Sequence, residues 1–308
     1  MDAHQLPNGT VAIWVVNLLP SQGPAVEKFL HEPGTAEATH VARFLLGEHA
    51  PSPNDVYAVP GRDAENAFYV TNDHGHPDAG LVRDLEYITL RPWSWVAYHS
   101  ASTGWRRVLD GLAGVNGIAA DTTPGGTGYI FISELMMGVV RVMREKAPGV
   151  LEEVQSVDMG IPGDNPSFYN GELWIAAGAK SSLLTKWLEE GTEGRVSKGP
   201  GSVVKRVNVR ELGEGFYGKG FTASPKVEMV YLDAEGVLAN ASTTVAFALY
   251  DVEAKAEKGE EEEEEDDEDE EAEVDEKARK GDLYVTGLRS PGKFPVRFEG
   301  CGVELTGF

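Results

Sequence analysis

Three short segments place an asparagine, alone or with a neighbouring aspartate, beside an apolar run. They contain Asn72, Asn116 and Asn165, which are separated by 44 and 49 residues. Carboxylate and amide oxygens are hard ligands, which suit calcium better than zinc or copper. A recurrence of about 45 residues matches the length of one four-stranded propeller blade. The spacing therefore predicts a β-propeller that holds calcium near its axis, with successive blades supplying the oxygen ligands.

The elements that must position these residues are mostly short strands. Apolar and aromatic runs follow turn residues along the chain, for example at 11–16, 68–70 and 129–132. Such runs, bounded by Gly, Asn and Pro, predict an all-β fold. A sandwich and a propeller both satisfy the pattern, and the recurrence of about 45 residues favours the propeller. Helical periodicity is rare, and its best candidates are 133–146 and 181–190.

One segment carries much of the net charge of −23. Residues 260–271 are twelve consecutive acids between two strand-like runs, at 243–250 and 281–286. We interpret 253–280 as an insertion in one β-hairpin of a single domain spanning 1–308. Consecutive carboxylates repel one another and bury no apolar area, which predicts disorder. A solvated loop is the favoured interpretation, and a tail that attracts calcium or a protein partner is the alternative.

Composition also limits partners and compartment. An acidic surface repels nucleic acid and anionic lipid, so we expect neither as a partner. No apolar stretch approaches the 18 residues of a spanning helix, and residues 1–5 lack the features of a signal peptide. Cys301 is the single cysteine, so no internal disulfide is expected. These features indicate the cytoplasm if Met1 is the true start; a truncated N-terminus would leave a secretory or membrane-associated origin open.

The order of the motifs resembles the serum paraoxonase/arylesterase family. The resemblance is carried by Phe68-Tyr69-Val70-Thr71-Asn72-Asp73-His74, by Asn116-Gly117-Ile118, and by the run from Val157 through Asp164-Asn165 to Trp174. It covers nearly the whole chain apart from the acidic insertion. It implies a six-bladed propeller with two axial calcium ions, one catalytic and one structural. It also implies hydrolysis of aryl esters or lactones, with calcium polarising the carbonyl group for attack by water.

The resemblance assigns roles to seven residues. Four side chains fall on ligands of the catalytic calcium: Asn72, Asn116, Asp164 and Asn165. The side chain of Asp73 falls on a ligand of the structural calcium, and the backbone carbonyl group of Leu6 is another candidate ligand. His4 takes the place of the first histidine of the catalytic pair.

Three departures from the family pattern affect these expectations. The family has about one more blade at its N-terminus, so each calcium site here lacks one carboxylate. Leu18 occupies the position of the second catalytic histidine, and His49 or His74 would have to replace it. The family's disulfide partner for Cys301 falls in the missing segment. A propeller without one blade also leaves two sheet edges exposed, which predicts poor solubility unless another element closes the ring.

Other functions remain open beside the hydrolase. Asn and Asp are common in turns, so an isolated Asn-Asp or Asn-Gly pair is better explained as a turn than as a metal site. A non-catalytic propeller that is stabilised by calcium and binds a protein partner is the main alternative. A propeller of the gluconolactonase or strictosidine-synthase type is a weaker one. The chain has no Gly-x-Ser-x-Gly, Cys-x-x-Cys or His-Glu-x-x-His motif, which disfavours serine-hydrolase and zinc mechanisms.

Overall fold

Five four-stranded antiparallel sheets follow one another along the chain. The computed structural model describes residues 1–18, 21–77, 80–179, 201–209, 212 and 225–233, and the backbone of 241–248, 281–287, 294–299 and 302–305. The first sheet is formed by β1 (Asp2–Gln5), β2 (Val11–Asn17), β3 (Ala25–His31) and β4 (Ala38–Leu45). The second is formed by β5 (Pro53–Ala58), β6 (Phe68–Asn72), β7 (Ser94–Ser100) and β8 (Gly104–Leu112).

The remaining sheets repeat this order. The third contains β9 (Val115–Ala120), β10 (Tyr129–Glu134), β11 (Val139–Ala147) and β12 (Val150–Asp158). The fourth contains β13 (Pro166–Tyr169), β14 (Glu172–Gly178), β15 (Ser202–Asn208) and β16 (Val227–Asp233). The fifth contains β17 (Ala241–Ala248), β18 (Gly281–Gly287), β19 (Phe294–Glu299) and β20 (Gly302–Leu305). Helix α1 (Leu81–Ile88) lies between β6 and β7, and short 3₁₀ turns occupy Gly47–His49 and Leu135–Met137.

The first strands of the sheets lie side by side around a common axis. Strand β5 contacts β1 and β9, and β13 contacts β9 and β17. Meandering four-stranded sheets whose first strands line an axis are the blades of a β-propeller, so the predicted all-β propeller is confirmed. The described residues contain five blades, and the expected count of six stays a prediction.

Apolar side chains fill the space between neighbouring blades. Trp14 and Phe68 pack between the first and second sheets, with ring centroids 5.4 Å apart. Tyr69 and Ile132 belong to the core between the second and third sheets, and Phe131 to the core between the third and fourth. Strand β10 is buried along its whole length because blades cover both of its faces. This packing fixes the positions of the inner strands.

The helix predicted at 133–146 is wrong. Its residues form the end of β10, the turn Leu135–Met137 and most of β11. Along β11 the buried Val140 and Val142 alternate with the more exposed Arg141, which is strand periodicity of two residues. The second predicted helix, 181–190, lies outside the described residues, and α1 was not foreseen.

The strand-like runs on either side of the acidic segment do form one hairpin. Strands β17 and β18 pair antiparallel, with Ala248 opposite Gly281. The acidic segment 253–280 and Cys301 themselves lie outside the described residues. Within the described part of the chain, no helix has the length and apolar character needed to cross a membrane.

Candidate functional site

Three of the predicted ligands lie together where the inner strands β9 and β13 begin. The backbone N–H of Gly117 in β9 donates to the carbonyl oxygen of Asp164, 3.3 Å away, just before β13. A Cβ atom at Gly117 would lie 2.5 Å from the Cα atom of Asn165 and 2.7 Å from its Oδ1 atom. Only glycine allows this approach, which places Asn116 beside Asp164 and Asn165.

Asn72 lies in the second blade, where it pairs with Pro53 at the start of β5. It is fully buried at the end of β6, and its Oδ1 atom accepts the backbone N–H of Ser52 at 2.7 Å, next to the start of β5. Its Nδ2 atom donates to the carbonyl oxygen of His74 at 2.6 Å. The neighbouring Asp73 accepts the Ser52 hydroxyl at 2.5 Å. Asn72 and Asp73 are therefore tied to the segment that opens β5.

Two observations show that this region suits a cation. The Oδ1 atom of Asn116 is buried and has no hydrogen-bond donor among the described residues. Burial, and then the charge of nearby Asp55, raises the pKa of Asp164 to about 7. A positive ion would give the unpaired Asn116 oxygen a partner and would favour the ionised form of the buried Asp164 carboxyl group.

The chemistry of the donor set also fits calcium. Within the described ranges, no group of three or more His, Cys, Asp or Glu side chains is placed to hold a metal ion. A cation here would depend on amide oxygens as well as on Asp164, whose Oδ1 atom is 3.2 Å from the Nδ2 atom of Asn165. Mixed amide and carboxylate oxygens are calcium ligands rather than zinc ligands.

Asp55 is a residue of this region that sequence reasoning did not single out. It lies in β5 with 5% of its surface exposed. Its Oδ2 atom accepts the backbone N–H of Ile118 in β9 at 3.0 Å, and its Oδ1 atom contacts the amino group of Met1 beside β1. One carboxylate therefore links three blades. An acid inside an apolar strand run was the signal that could have identified it.

A cavity of about 410 Å³ lies beside this region, and its lining includes Asn165 and Asp55 but not Asn72, Asn116 or Asp164. Both polar and apolar side chains line this cavity. The lining includes His4, Asp55, Tyr57, Ile118, Asn165 and Phe168. Such a cavity matches the general form of a small-molecule site, in which a few polar groups are placed within an apolar surface.

His4 reaches this cavity from β1. Its Nε2 atom is 2.8 Å from the Oε2 atom of Glu65. Its Nδ1 atom is buried and has no partner among the described residues. Leu6 lies in the turn after β1, where its carbonyl oxygen accepts the N–H of Gly9 at 2.9 Å.

The two histidines considered as replacements occupy other environments. The ring of His49 stacks on Trp105, with centroids 5.1 Å apart. His74 is fully buried between Asp73 and Glu86, with nitrogen–oxygen distances of 3.7 and 3.8 Å. Burial lowers the pKa of His74, although both carboxylates oppose this effect. Leu18 is 62% exposed, and the partner of His4 is a carboxylate.

Comparison with known proteins gives one family match. A family model described as Arylesterase matches residues 8–249. No curated protein matches the chain.

Solved structures show similarity at low identity. The chain matches the periplasmic gluconolactonase PpgL of Pseudomonas aeruginosa (9% identity, TM-score 0.43, covering 96% of this chain and 65% of that one). It also matches the β-propeller domain of the Trilobed protease from Pyrococcus furiosus (7% identity, TM-score 0.39, covering 99% of this chain and 70% of that one). A third match is Sqt1 of Saccharomyces cerevisiae, with 9% identity and a TM-score of 0.42. The match covers 90% of this chain, which spans 56% of the length of Sqt1.

Proposed function

Because the chain belongs to the arylesterase family, we propose that it is a calcium-dependent hydrolase of aryl esters or lactones. The observation that carries the calcium part is the buried Oδ1 atom of Asn116, which has no donor among the described residues. The next residue, Gly117, is hydrogen-bonded to the backbone of Asp164, whose carboxyl group is buried near the carboxylate of Asp55. A divalent cation would give the Asn116 oxygen a partner and would stabilise the ionised form of the Asp164 carboxyl group.

The proposed ligand set is drawn from three blades. The side chains that would hold the catalytic ion are Asn72, Asn116, Asp164 and Asn165. When bound, calcium would act as a Lewis acid toward the carbonyl oxygen of the substrate. A second, structural ion, held by the side chain of Asp73 and the backbone carbonyl group of Leu6, is the other part of the proposal.

The chain's own residues supply binding and proton transfer. Tyr57, Ile118 and Phe168 give the cavity an apolar wall, which would receive the aryl or acyl part of the substrate and exclude water. His4 would accept a proton at Nδ1 from the attacking water, whose oxygen bonds to the carbonyl carbon. The ester C–O bond then breaks, and the proton passes to the departing alcohol or phenol.

The first experiment measures calcium binding and phenyl acetate hydrolysis on the same preparation. We expect calcium-dependent hydrolysis that chelation abolishes. Asn116→Ala should lower calcium affinity on the order of tenfold to a hundredfold, because losing a buried oxygen ligand costs on the order of 1–3 kcal/mol. Asn8→Ala, in the exposed turn after β1, is the matched control. A folded protein that binds no calcium would exclude the proposal.

A non-catalytic propeller stabilised by calcium is the second candidate. Asn72 uses both ends of its amide on backbone groups, and Asp55 joins three blades, which favours a structural role for this region. The two candidates differ in one result. A large calcium-dependent rise in melting temperature without hydrolysis of phenyl acetate or of a lactone would support the structural role.

A further inference from the structure

The loop between β5 and β6 has an unusual backbone. Asp63, Ala64 and Glu65 follow one another with φ angles of 48°, 53° and 63°. Non-glycine residues rarely adopt this left-handed conformation, and three in succession are rarer. Backbone conformations of this kind persist only where surrounding contacts impose them, and they concentrate at functional sites.

Several contacts hold this left-handed turn in place. Asp63 accepts the N–H and the hydroxyl group of Ser102, at 3.1 and 2.7 Å. The carbonyl oxygen of Glu65 accepts the ammonium group of the buried Lys28 at 2.6 Å, and the same ammonium group donates to Asn66 at 3.3 Å. The turn is therefore anchored to the first blade through Lys28 and to the second through Ser102.

These anchors give the Glu65 carboxylate a fixed direction. Its Oε1 atom accepts the backbone N–H of Gly61 at 2.8 Å. Its Oε2 atom is 2.8 Å from Nε2 of His4, and both side chains are largely buried. An ionised carboxylate only accepts hydrogen bonds, so Nε2 of His4 carries the proton. In the neutral form of the imidazole ring, Nδ1 is then the nitrogen that keeps the lone pair.

We propose that Glu65 is a positioning residue for His4. It holds the imidazole in the Nε2–H tautomer, so that Nδ1 keeps the lone pair that accepts a proton during hydrolysis. The left-handed turn at 63–65 brings this carboxylate to the imidazole ring. Glu65 would thus orient His4 in a chain where Leu18 takes the place of the second histidine of the family pair. The kinetic part of this inference rests on the proposed function, whereas the tautomer part does not.

The tautomer is tested first, by ¹⁵N nuclear magnetic resonance of the histidine rings in the full chain. We expect the Nε2–H form of His4 in the wild type and its loss, or a mixture of tautomers, in Glu65→Gln. Glu37→Gln removes one exposed charge elsewhere and should leave the His4 signals unchanged. Identical His4 signals in the wild type and Glu65→Gln would overturn the proposal. If Glu65→Gln does not fold, Glu65→Asp, which withdraws the carboxylate but keeps its charge, takes its place.

The kinetic test uses phenyl acetate with calcium present. We expect Glu65→Gln to lower kcat by at least about tenfold with KM nearly unchanged, as for other carboxylates that orient a catalytic histidine. His4→Gln should lower kcat further, and the double variant should be no slower than His4→Gln alone. Independent, additive losses would show that Glu65 does not act through His4. An inactive wild type would contradict the proposed function, and the tautomer result alone would then decide the role of Glu65.

Discussion

Asp164 combines burial with a nearby negative charge, and this sets how calcium binding should depend on pH. Burial and then Asp55 raise its pKa to about 7, so the carboxyl group of the cation-free protein is protonated below that pH. Calcium needs the ionised form, so binding releases a proton. The affinity should therefore fall as pH decreases through about 7.

We expect the calcium dissociation constant to rise by up to about tenfold for each pH unit below 7, since one proton competes with the ion. Calorimetric titration between pH 5.5 and 8 measures this slope. Asp164→Asn should bind more weakly and with little pH dependence over the same range. An unchanged affinity across the range would show that Asp164 is not a ligand.

The residues predicted from sequence were those with both a recognisable type and a recognisable neighbourhood. Asn116, Asp164 and Asn165 could be identified because the strands around them are apolar and their spacing repeats. Asp55 and Glu65 escaped notice, because their roles depend on contacts with residues 63 and 61 positions away in the chain. Neither residue lies in a local pattern that reveals such a partner.

At the scale of elements, Gly117 determines how closely β9 approaches the start of β13. A Cβ atom there would lie 2.4 Å from the Cδ atom of Pro166, far inside contact distance. We expect Gly117→Ala to push the two inner strands apart and to weaken calcium binding by at least about tenfold, in line with the loss of one ligand. Gly9→Ala, where φ is 89° and a new Cβ atom meets no neighbour, is the control for backbone strain without a steric clash. Equal calcium affinity in both variants would contradict the role of Gly117.

A second contact between elements joins the loop after β5 to β11. The Nη1 and Nη2 atoms of Arg62 both donate to the Glu145 carboxylate, at 2.6 Å each, and the hydroxyl of Tyr69 also contacts this carboxylate. Burial opposes ionisation, but Arg62 and Tyr69 together lower the pKa of Glu145. This contribution to stability is therefore present above the carboxyl group's ordinary pKa and is lost as pH falls below it.

We expect Glu145→Ala to lower the free energy of unfolding by about 2 kcal/mol at pH 7, because it leaves a partly buried Arg62 unpaired. Denaturant titration at pH 7 and again near pH 3 would measure the change, which should shrink at the lower pH. Glu152→Ala breaks an exposed pair with Lys146 and should cost less than about 1 kcal/mol. Similar losses in the two variants would show that the blades do not depend on this ion pair.

The strands were predictable because a short apolar run between turn residues seldom forms anything other than a strand. The misassigned helix at 133–146 shows the limit, since Leu135, Val139 and Val142 also fit a helical spacing. Packing between two blades selected the strand pairing of β10 with β11 over that local preference. Helix α1 was missed although Leu81, Leu85 and Ile88 have the i, i+4, i+7 spacing of a helix; in the structure these side chains are exposed.

For the whole molecule, the acidic segment should be separable from the fold. Strands β17 and β18 pair up to Ala248 and Gly281, on either side of 253–280. We expect replacement of 253–280 by a short Gly-Ser linker to change the melting temperature by no more than about 2 °C, which corresponds to less than about 1 kcal/mol. Esterase activity should also be retained. Loss of both would show that the segment contributes to the propeller or its site.

The number of blades was predictable only in part. A repeat of about 45 residues indicates what one blade is, whereas ring closure depends on contacts between distant blades. Exposed edges and poor solubility stay predictions, which size-exclusion chromatography at several protein concentrations would test. A monodisperse monomer at all concentrations would count against them.

The left-handed turn at 63–65 also contains a position where a substitution should stabilise the protein against heat. Ala64 is exposed and is the one member of the turn whose side chain makes no polar contact, yet it adopts φ = 53°. Glycine enters this conformation without the steric penalty of about 1–2 kcal/mol that other residues meet. Ala64→Gly should therefore raise or preserve thermal stability, measured by calorimetry, although glycine normally weakens folded proteins. A protein engineer would begin here, because the substitution relaxes the backbone while the neighbouring glutamate keeps its place.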